Sequence, residues 1–226
     1  MQHSNTEVSL ETLREIRGIM NRSGRFLSLS GWSGIWAGAV ASVAGYIAHQ
    51  WIEDLSVADF SAGRFRRAVT DETLQSFDGD YQSIVIRFVL LAVCTMGLAL
   101  AGALFFTIRK AKKQGDTLWN PASRQLLFAG ALPFAVGGIF ALAFLYYGQD
   151  FLIAPICLAF YGLALVGASR HTLGEIRYLG YLEIALGVIN LFLVGHGLLF
   201  WVLGFGVLHI LYGALMWNKY DRHATV

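Results

Sequence analysis

The stretch that decides the fold lies near the end of the chain, at residues 177–217: RYLGYLEIALGVINLFLVGHGLLFWVLGFGVLHILYGALMW. It is about twice as long as the roughly 20 residues that a membrane helix needs. Its only interruption is Gly195-His196-Gly197. The stretch therefore predicts two antiparallel membrane helices joined by a tight turn. Glu183 and His209 lie at equal distances from His196, which places their side chains at the same depth on facing helices.

The whole chain has the composition of a membrane protein. Of its 226 residues, 56% are hydrophobic and only 14% are charged, whereas about a quarter of a soluble protein is charged. The formal net charge is +2, and no basic stripe with interleaved aromatic residues indicates a nucleic-acid partner. Cys94 and Cys157 lie in apolar runs, so we expect free thiols. The polar N-terminus has no apolar core of a cleaved signal peptide.

Six apolar segments predict an all-α fold, an integral membrane bundle of six transmembrane helices over residues 27–218. Residues 1–26 are predicted to form a cytoplasmic amphipathic helix, since apolar residues recur there at helical spacing; the alternative is a charged leader that only satisfies the positive-inside rule. An acidic outer loop, 52–82, separates the first two spans, and 219–226 form a cytoplasmic tail. Asn120-Pro121 predicts the start of the third span. The first four spans are Leu27–Trp51, Ser83–Ile108, Arg124–Tyr147 and a segment that ends near Ser169.

The distribution of basic residues predicts the orientation. Thirteen of the seventeen lysines and arginines fall in the N-terminal segment, the loops 109–124 and 170–177, and the tail. Cytoplasmic loops of membrane proteins are enriched in such residues. Both termini are therefore expected in the cytoplasm; that the membrane is a bacterial inner membrane is an expectation implied by the resemblances given below. One basic cluster also suits an anionic lipid headgroup: Arg109, Lys110, Lys112 and Lys113.

An internal repeat is visible at the ends of the even-numbered spans. Leu98–Ala103 reads LALAGA, Leu163–Ala168 reads LALVGA and His209–Ala214 reads HILYGA. The odd-numbered spans align in turn from a leading arginine, at Arg25, Arg124 and Arg177. Three copies of one two-helix hairpin are the simplest interpretation.

Two resemblances follow from these segments. The glycine spacing of the last hairpin resembles that of the HdeD-type small bacterial membrane proteins, which have six spans in hairpin repeats and are named for acid resistance. The acidic outer loop departs from their pattern. SLSGWSGIWAG, LIAPICLAFYGLALVGASRHTLGEIRYLGYLEI and GFGVLHILYG resemble an uncharacterised six-span family from Bacteroidetes-type bacteria. That resemblance implies a fold but no activity.

Glu183 and His209 carry the chemistry that the sequence suggests. Glu183 shares a helical stripe with Gly180, Gly187 and Asn190, while His209 shares one with Val202, Gly206 and Gly213. If the two stripes meet, Glu183 reaches His209. An unpaired charge in hydrocarbon costs several kcal/mol, so the two form either a proton-titrating site with Asn190 nearby or a structural hydrogen bond worth about 1 kcal/mol. Both interpretations stay open.

Other chemistries have little support in the sequence. His49, His171, His196 and His209 lie at different depths without metal-ligand spacing, and neither a GxSxG elbow nor a phosphate loop occurs. We therefore expect no metal, cofactor or catalytic residue. The favoured function is a non-enzymatic membrane protein related to stress or the envelope, in contact with the lipid bilayer and compatible with a homo-oligomer. The main alternative is a proton-linked small-solute carrier or channel that uses Glu183 and His209.

Overall fold

The computed structural model describes residues 26, 29–61, 71–115 and 118–222, and for 55–61 and 71–82 it describes the backbone alone. Within these ranges the chain is helical and contains no strand, so the all-α prediction is confirmed. Short 3₁₀ turns, Asp150–Leu152 and Ser169–His171, flank the fourth helix. The six main helices are α1 (Gly31–Ser61), α2 (Asp71–Gln114), α3 (Pro121–Tyr146), α4 (Ile153–Ala168), α5 (Ile176–Phe192) and α6 (Gly197–Asp221).

Among the described residues, four helical segments are long and apolar enough to cross a membrane. They are Ser83–Gln114 in α2, the whole of α3, Asp150–His171 around α4, and α6. In the most apolar part of both α2 and α3, only 6% of the residues are buried within the protein. Apolar surface exposed on this scale is typical of helices that face lipid. The chain is thus a multi-pass helical membrane protein.

The other two predicted spans, α5 and α1, differ from these four in length or in apolar character. α5 has 17 residues, and at about 1.5 Å per residue its length is roughly 25 Å. The hydrocarbon core of a bilayer is about 30 Å thick, so α5 is slightly short for it. α1 has 31 residues, but glycine, serine and tryptophan lower its apolar character.

The segment predicted as an acidic outer loop, 52–82, is largely helical. α1 continues to Ser61 and α2 begins at Asp71, so these parts of the segment are helical, and its place outside the membrane stays a prediction. Hydropathy shows where an apolar surface ends, whereas a helix can continue into water through residues with good helix propensity such as Glu, Gln and Leu. The predicted amphipathic helix at 1–26 lies outside the described residues except for Phe26, as do 62–70 and 223–226.

The described residues form two compact units. The Glu183 unit contains the described residues of Met1–Ser30 and Thr107–Gly195, and the His209 unit those of Gly31–Phe106 and His196–Val226. In the Glu183 unit α4 packs on both α3 and α5, and in the His209 unit α6 packs along α1. The main packing partner of α5 is therefore α4 and that of α6 is α1, whereas the hairpin repeat predicted α5 and α6 as partners.

The start of α3 is held by the predicted cap. The Asn120 side-chain oxygen accepts a hydrogen bond from the Ser123 backbone N–H at 2.8 Å, and the Ser123 hydroxyl accepts one from the Asn120 N–H at 3.0 Å. Pro121 follows as the first helical residue, where its missing N–H has no cost.

Removing this cap should destabilise the protein measurably. We expect Asn120→Ala to lower the free energy of unfolding by about 1 kcal/mol, because one N-terminal amide of α3 loses its acceptor. Asn120→Asp keeps that acceptor and should unfold like the wild type. Thermal unfolding in detergent measures both variants, and equal midpoints for Asn120→Ala and the wild type would contradict the assignment.

Candidate functional site

Glu183 lies in the middle of α5, and its side chain is 0% exposed. The buried residues of α5 include all four members of the predicted stripe, Gly180, Glu183, Gly187 and Asn190. Since this face recurs at helical spacing, one neighbouring helix can cover it along its length. That helix is α4.

Glycines bring the backbones of α4 and α5 into contact on both sides of Glu183. A β-carbon placed on Gly180 would lie 2.7 Å from the carbonyl oxygen of Gly162, and one on Gly187 would lie 2.7 Å from that of Pro155. Such distances leave no room for any side chain at these two positions. The carboxyl group is therefore enclosed between two points of direct backbone packing, away from lipid.

Tyr161 on α4 is the polar neighbour of Glu183 that the structure identifies. The phenol and the Glu183 carboxyl group interact electrostatically. Sequence reasoning missed Tyr161, because it placed α5 against α6; the glycine that follows Tyr161 was the available signal that α4 could pack this closely.

Asn190 lies two turns beyond Glu183 on the same face of α5 and is 3% exposed. Its amide nitrogen donates to the carbonyl oxygen of Leu193 at 3.4 Å, near the end of the helix. Its side-chain oxygen has no hydrogen-bond partner among the described residues. A buried acceptor in this state costs about 1–3 kcal/mol, so Asn190 offers this oxygen to a donor that the described protein does not supply.

His209 lies in α6, directly after the π-helical segment Val202–Leu208, and is 7% exposed. Its Nδ1 is 3.0 Å from the carbonyl oxygen of Gly204. A carbonyl oxygen can only accept, so Nδ1 carries a proton, and in the neutral ring Nε2 is the basic nitrogen. The ring also stacks on Phe205, with 6.0 Å between ring centroids.

Glycines also mediate the packing of α6 on α1. A β-carbon on Gly213 would lie 2.7 Å from the carbonyl oxygen of Gly31, and one on Gly206 would lie 2.6 Å from the Ser42 hydroxyl. Each predicted stripe thus packs on a helix of its own unit, α5 on α4 and α6 on α1. The physical reason is that α1 and α4 carry equally small residues. Contact between Glu183 and His209 stays a prediction.

The basic cluster at the end of α2 is only partly available for lipid. The Lys110 ammonium group donates to the carbonyl oxygen of Leu29 at 2.6 Å and is half-buried, whereas Arg109, Lys112 and Lys113 are exposed. Anionic-lipid binding stays a prediction that rests on these three exposed residues. Among the described residues, no group of three or more His, Cys, Asp or Glu side chains could hold a metal ion.

The arrangement supplies one buried protonatable group in each unit. The carboxyl group of Glu183 can bind and release a proton beside Tyr161, and the Nε2 of His209 can accept one while Nδ1 holds the ring in place. No protein-family model, curated protein or solved structure matches the chain.

Proposed function

We propose that this chain is a non-enzymatic, six-span protein of a bacterial inner membrane that moves protons, as a channel or together with a small solute. Glu183 is the proton-carrying group. The observation that supports this function is the complete burial of the Glu183 side chain in the middle of an apolar helix. An ionisable group at such a place is expensive, and its usual reason is an ion or proton path.

The six-span topology rests on charge and on exposed aromatic residues. Trp119 and Tyr178, expected at the cytoplasmic surface, are 73% and 61% exposed, while Tyr146 and Tyr147, expected at the outer surface, are 84% and 71% exposed. Aromatic rings of this kind favour the membrane–water interface. α5, though short, spans if the bilayer thins locally, which costs only a fraction of a kcal/mol per Å.

Reporter fusions test this topology. A reporter placed after Val226 should lie in the cytoplasm, and one inserted at Gly148, in the turn after α3, should lie on the opposite side. Gly148 has a φ of +67° and open space around its Cα, so it suits an insertion. Both reporters on one side would overturn the proposed topology.

Proton movement can be measured without knowledge of a solute. We would reconstitute the purified protein into liposomes that contain a pH-sensitive dye, and drive protons inward with a potassium diffusion potential set by valinomycin. We expect faster internal acidification than in protein-free liposomes. Equal rates, with the protein shown to be folded and inserted, would overturn the channel form of the proposal; the carrier form is tested by exchange of the Glu183 proton with the bulk solution.

A second candidate function is a structural bundle that supports the envelope under stress. The tight backbone contacts at Gly162 and Gly180 favour it, because they close the α4–α5 interface around the carboxyl group. In that function Glu183 is a permanent hydrogen-bonding group whose protonation state never changes. The two candidates therefore differ in one measurable property, the exchange of the Glu183 proton with the bulk solution.

A further inference from the structure

The packing of α6 on α1 has a distinctive set of contacts at Gly38. A β-carbon on Gly38 would lie 2.6 Å from the carbonyl oxygen of Gly206. It would also lie 2.7 Å from the Cγ1 atom and 2.8 Å from the backbone nitrogen of Ile210. Gly38 thus faces the carbonyl group of Gly206 and, four residues later in α6, Ile210.

The packing of α5 on α4 shows the same set at Gly162. A β-carbon on Gly162 would lie 2.6 Å from the carbonyl oxygen of Gly180, 2.7 Å from the Cγ1 atom of Ile184 and 2.8 Å from the Ile184 backbone nitrogen. The atoms and their order are those found at Gly38. Gly162 therefore corresponds to Gly38, and the segment from Gly180 corresponds to the segment from Gly206.

A second contact lies seven residues away along each of the four helices, α1, α4, α5 and α6. It shows the same correspondence between the two helix pairs. Gly187 faces the carbonyl oxygen of Pro155 at 2.7 Å, and Gly213 faces that of Gly31 at 2.7 Å, both measured from a β-carbon built on the glycine. Because both points agree, the two helix pairs share one register.

Burial along the second helix of each pair agrees as well. The sequence of buried, half-buried and exposed residues over 180–190 is the same as over 206–216, except at Leu182 and Leu208. In this register Glu183 corresponds to His209, and both are buried. Asn190 corresponds to Met216, so its amide is a feature of one copy.

We infer that α4–α5 and α1–α6 are two copies of one antiparallel helix pair, and that His209 is the counterpart of Glu183, a second proton-binding group with Nε2 as its base. The role of His209 as a proton-binding group rests on the proposed function. In the proposed topology the chain enters α1 from the cytoplasmic side and α4 from the opposite side. A helix pair that is used twice and entered once from each side is the arrangement of inverted-repeat carriers.

The surroundings of the two groups suit this role. The part of α1 that packs nearest His209 carries Gly34, whose β-carbon would lie 3.1 Å from the His209 carbonyl oxygen, and Gly38, neither of which is titratable. In α6 itself, the titratable residue near His209 is Tyr212, which is half-buried. For Glu183, the titratable group on α4 that interacts with it is Tyr161.

The protonation of the imidazole tests the inference without any transport assay. Nitrogen-15 NMR of histidine-labelled protein in lipid nanodiscs, with the His209→Gln variant to identify the signal, should show neutral His209 with its proton on Nδ1. Acidification should then add a proton at Nε2. A neutral ring protonated on Nε2, or a ring whose signals stay unchanged over the range in which the protein remains folded, would overturn the inference.

Exchange of the two residues separates this inference from the proposed function. If the positions are counterparts, the variants Glu183→His and His209→Glu should each retain proton flux. In Glu183→Gln and in His209→Gln, proton flux should fall by roughly a hundredfold or more. Wild-type flux in His209→Gln, with flux lost in Glu183→Gln, would overturn the inference and leave the proposed function standing. Wild-type flux in both glutamine variants would overturn both.

Discussion

Replacing Gly162 with alanine is expected to lower the free energy of unfolding by about 1–3 kcal/mol, the range found when a packed interior is forced to accept an extra methyl group. The added β-carbon would lie 2.6 Å from the Gly180 carbonyl oxygen and 2.8 Å from the Ile184 nitrogen. Both are backbone atoms and cannot rotate away, so the two helices must separate. Gly38→Ala, at the corresponding place in the His209 unit, should cost a similar amount.

The chain offers a matched control in each unit. A β-carbon on Gly138 in α3 or on Gly97 in α2 would have nothing within 4 Å. Alanine at these positions should leave stability unchanged or raise it by up to about 1 kcal/mol through better helix propensity. Thermal unfolding of all four variants in one detergent measures the differences. Equal tolerance of alanine at Gly162 and Gly138 would show that α4 and α5 do not touch as described.

Replacing Glu183 with glutamine is expected to reduce proton flux by roughly a hundredfold or more, the usual contribution of a positioned acid–base group. Glutamine has nearly the same shape, but it cannot release a proton at neutral pH. The fold should therefore survive, because the α4–α5 contact depends on glycines and not on the charge of residue 183.

Two further variants make the result specific. Asp54→Asn removes an acid from an exposed position of α1 and should retain wild-type flux, which controls for the loss of one negative charge. Glu183→Asp keeps the acid on a shorter side chain and should retain part of the flux. If Glu183→Gln conducts protons as well as the wild type, Glu183 does not carry them.

The parts of this structure that the sequence predicts are those that depend on local pattern. Apolar length predicts helices at the observed places, and Asn120-Pro121 predicts the observed start of α3, because capping involves residues only three positions apart. The stripe of Gly180, Glu183, Gly187 and Asn190 follows from helical periodicity. Each of these features is decided within one helix.

The choice of partner helix is not decided within one helix, and there the sequence interpretation differs from the structure. α1, α4, α5 and α6 all carry small residues at compatible spacing, so each pair of stripes looks equally suitable. Adjacent order in the chain favoured α5 with α6. The structure instead packs α5 on α4, which places Tyr161 on the partner helix of Glu183. It packs α6 on α1, which brings Gly38 against Gly206. The π-helical turn that positions His209 also has no local sequence signal.

The measurement that tests the central claim most directly is an infrared titration of the Glu183 carboxyl group in the membrane-reconstituted protein. We predict a carbonyl stretching band of a protonated carboxyl group that is absent from Glu183→Gln, is unchanged in Asp54→Asn, and disappears and returns reversibly as the bulk pH is raised and lowered. This behaviour shows that the buried group exchanges its proton with the solution. A band assigned to Glu183 that persists unchanged over the whole pH range in which the protein stays folded would contradict the account and identify Glu183 as a structural group.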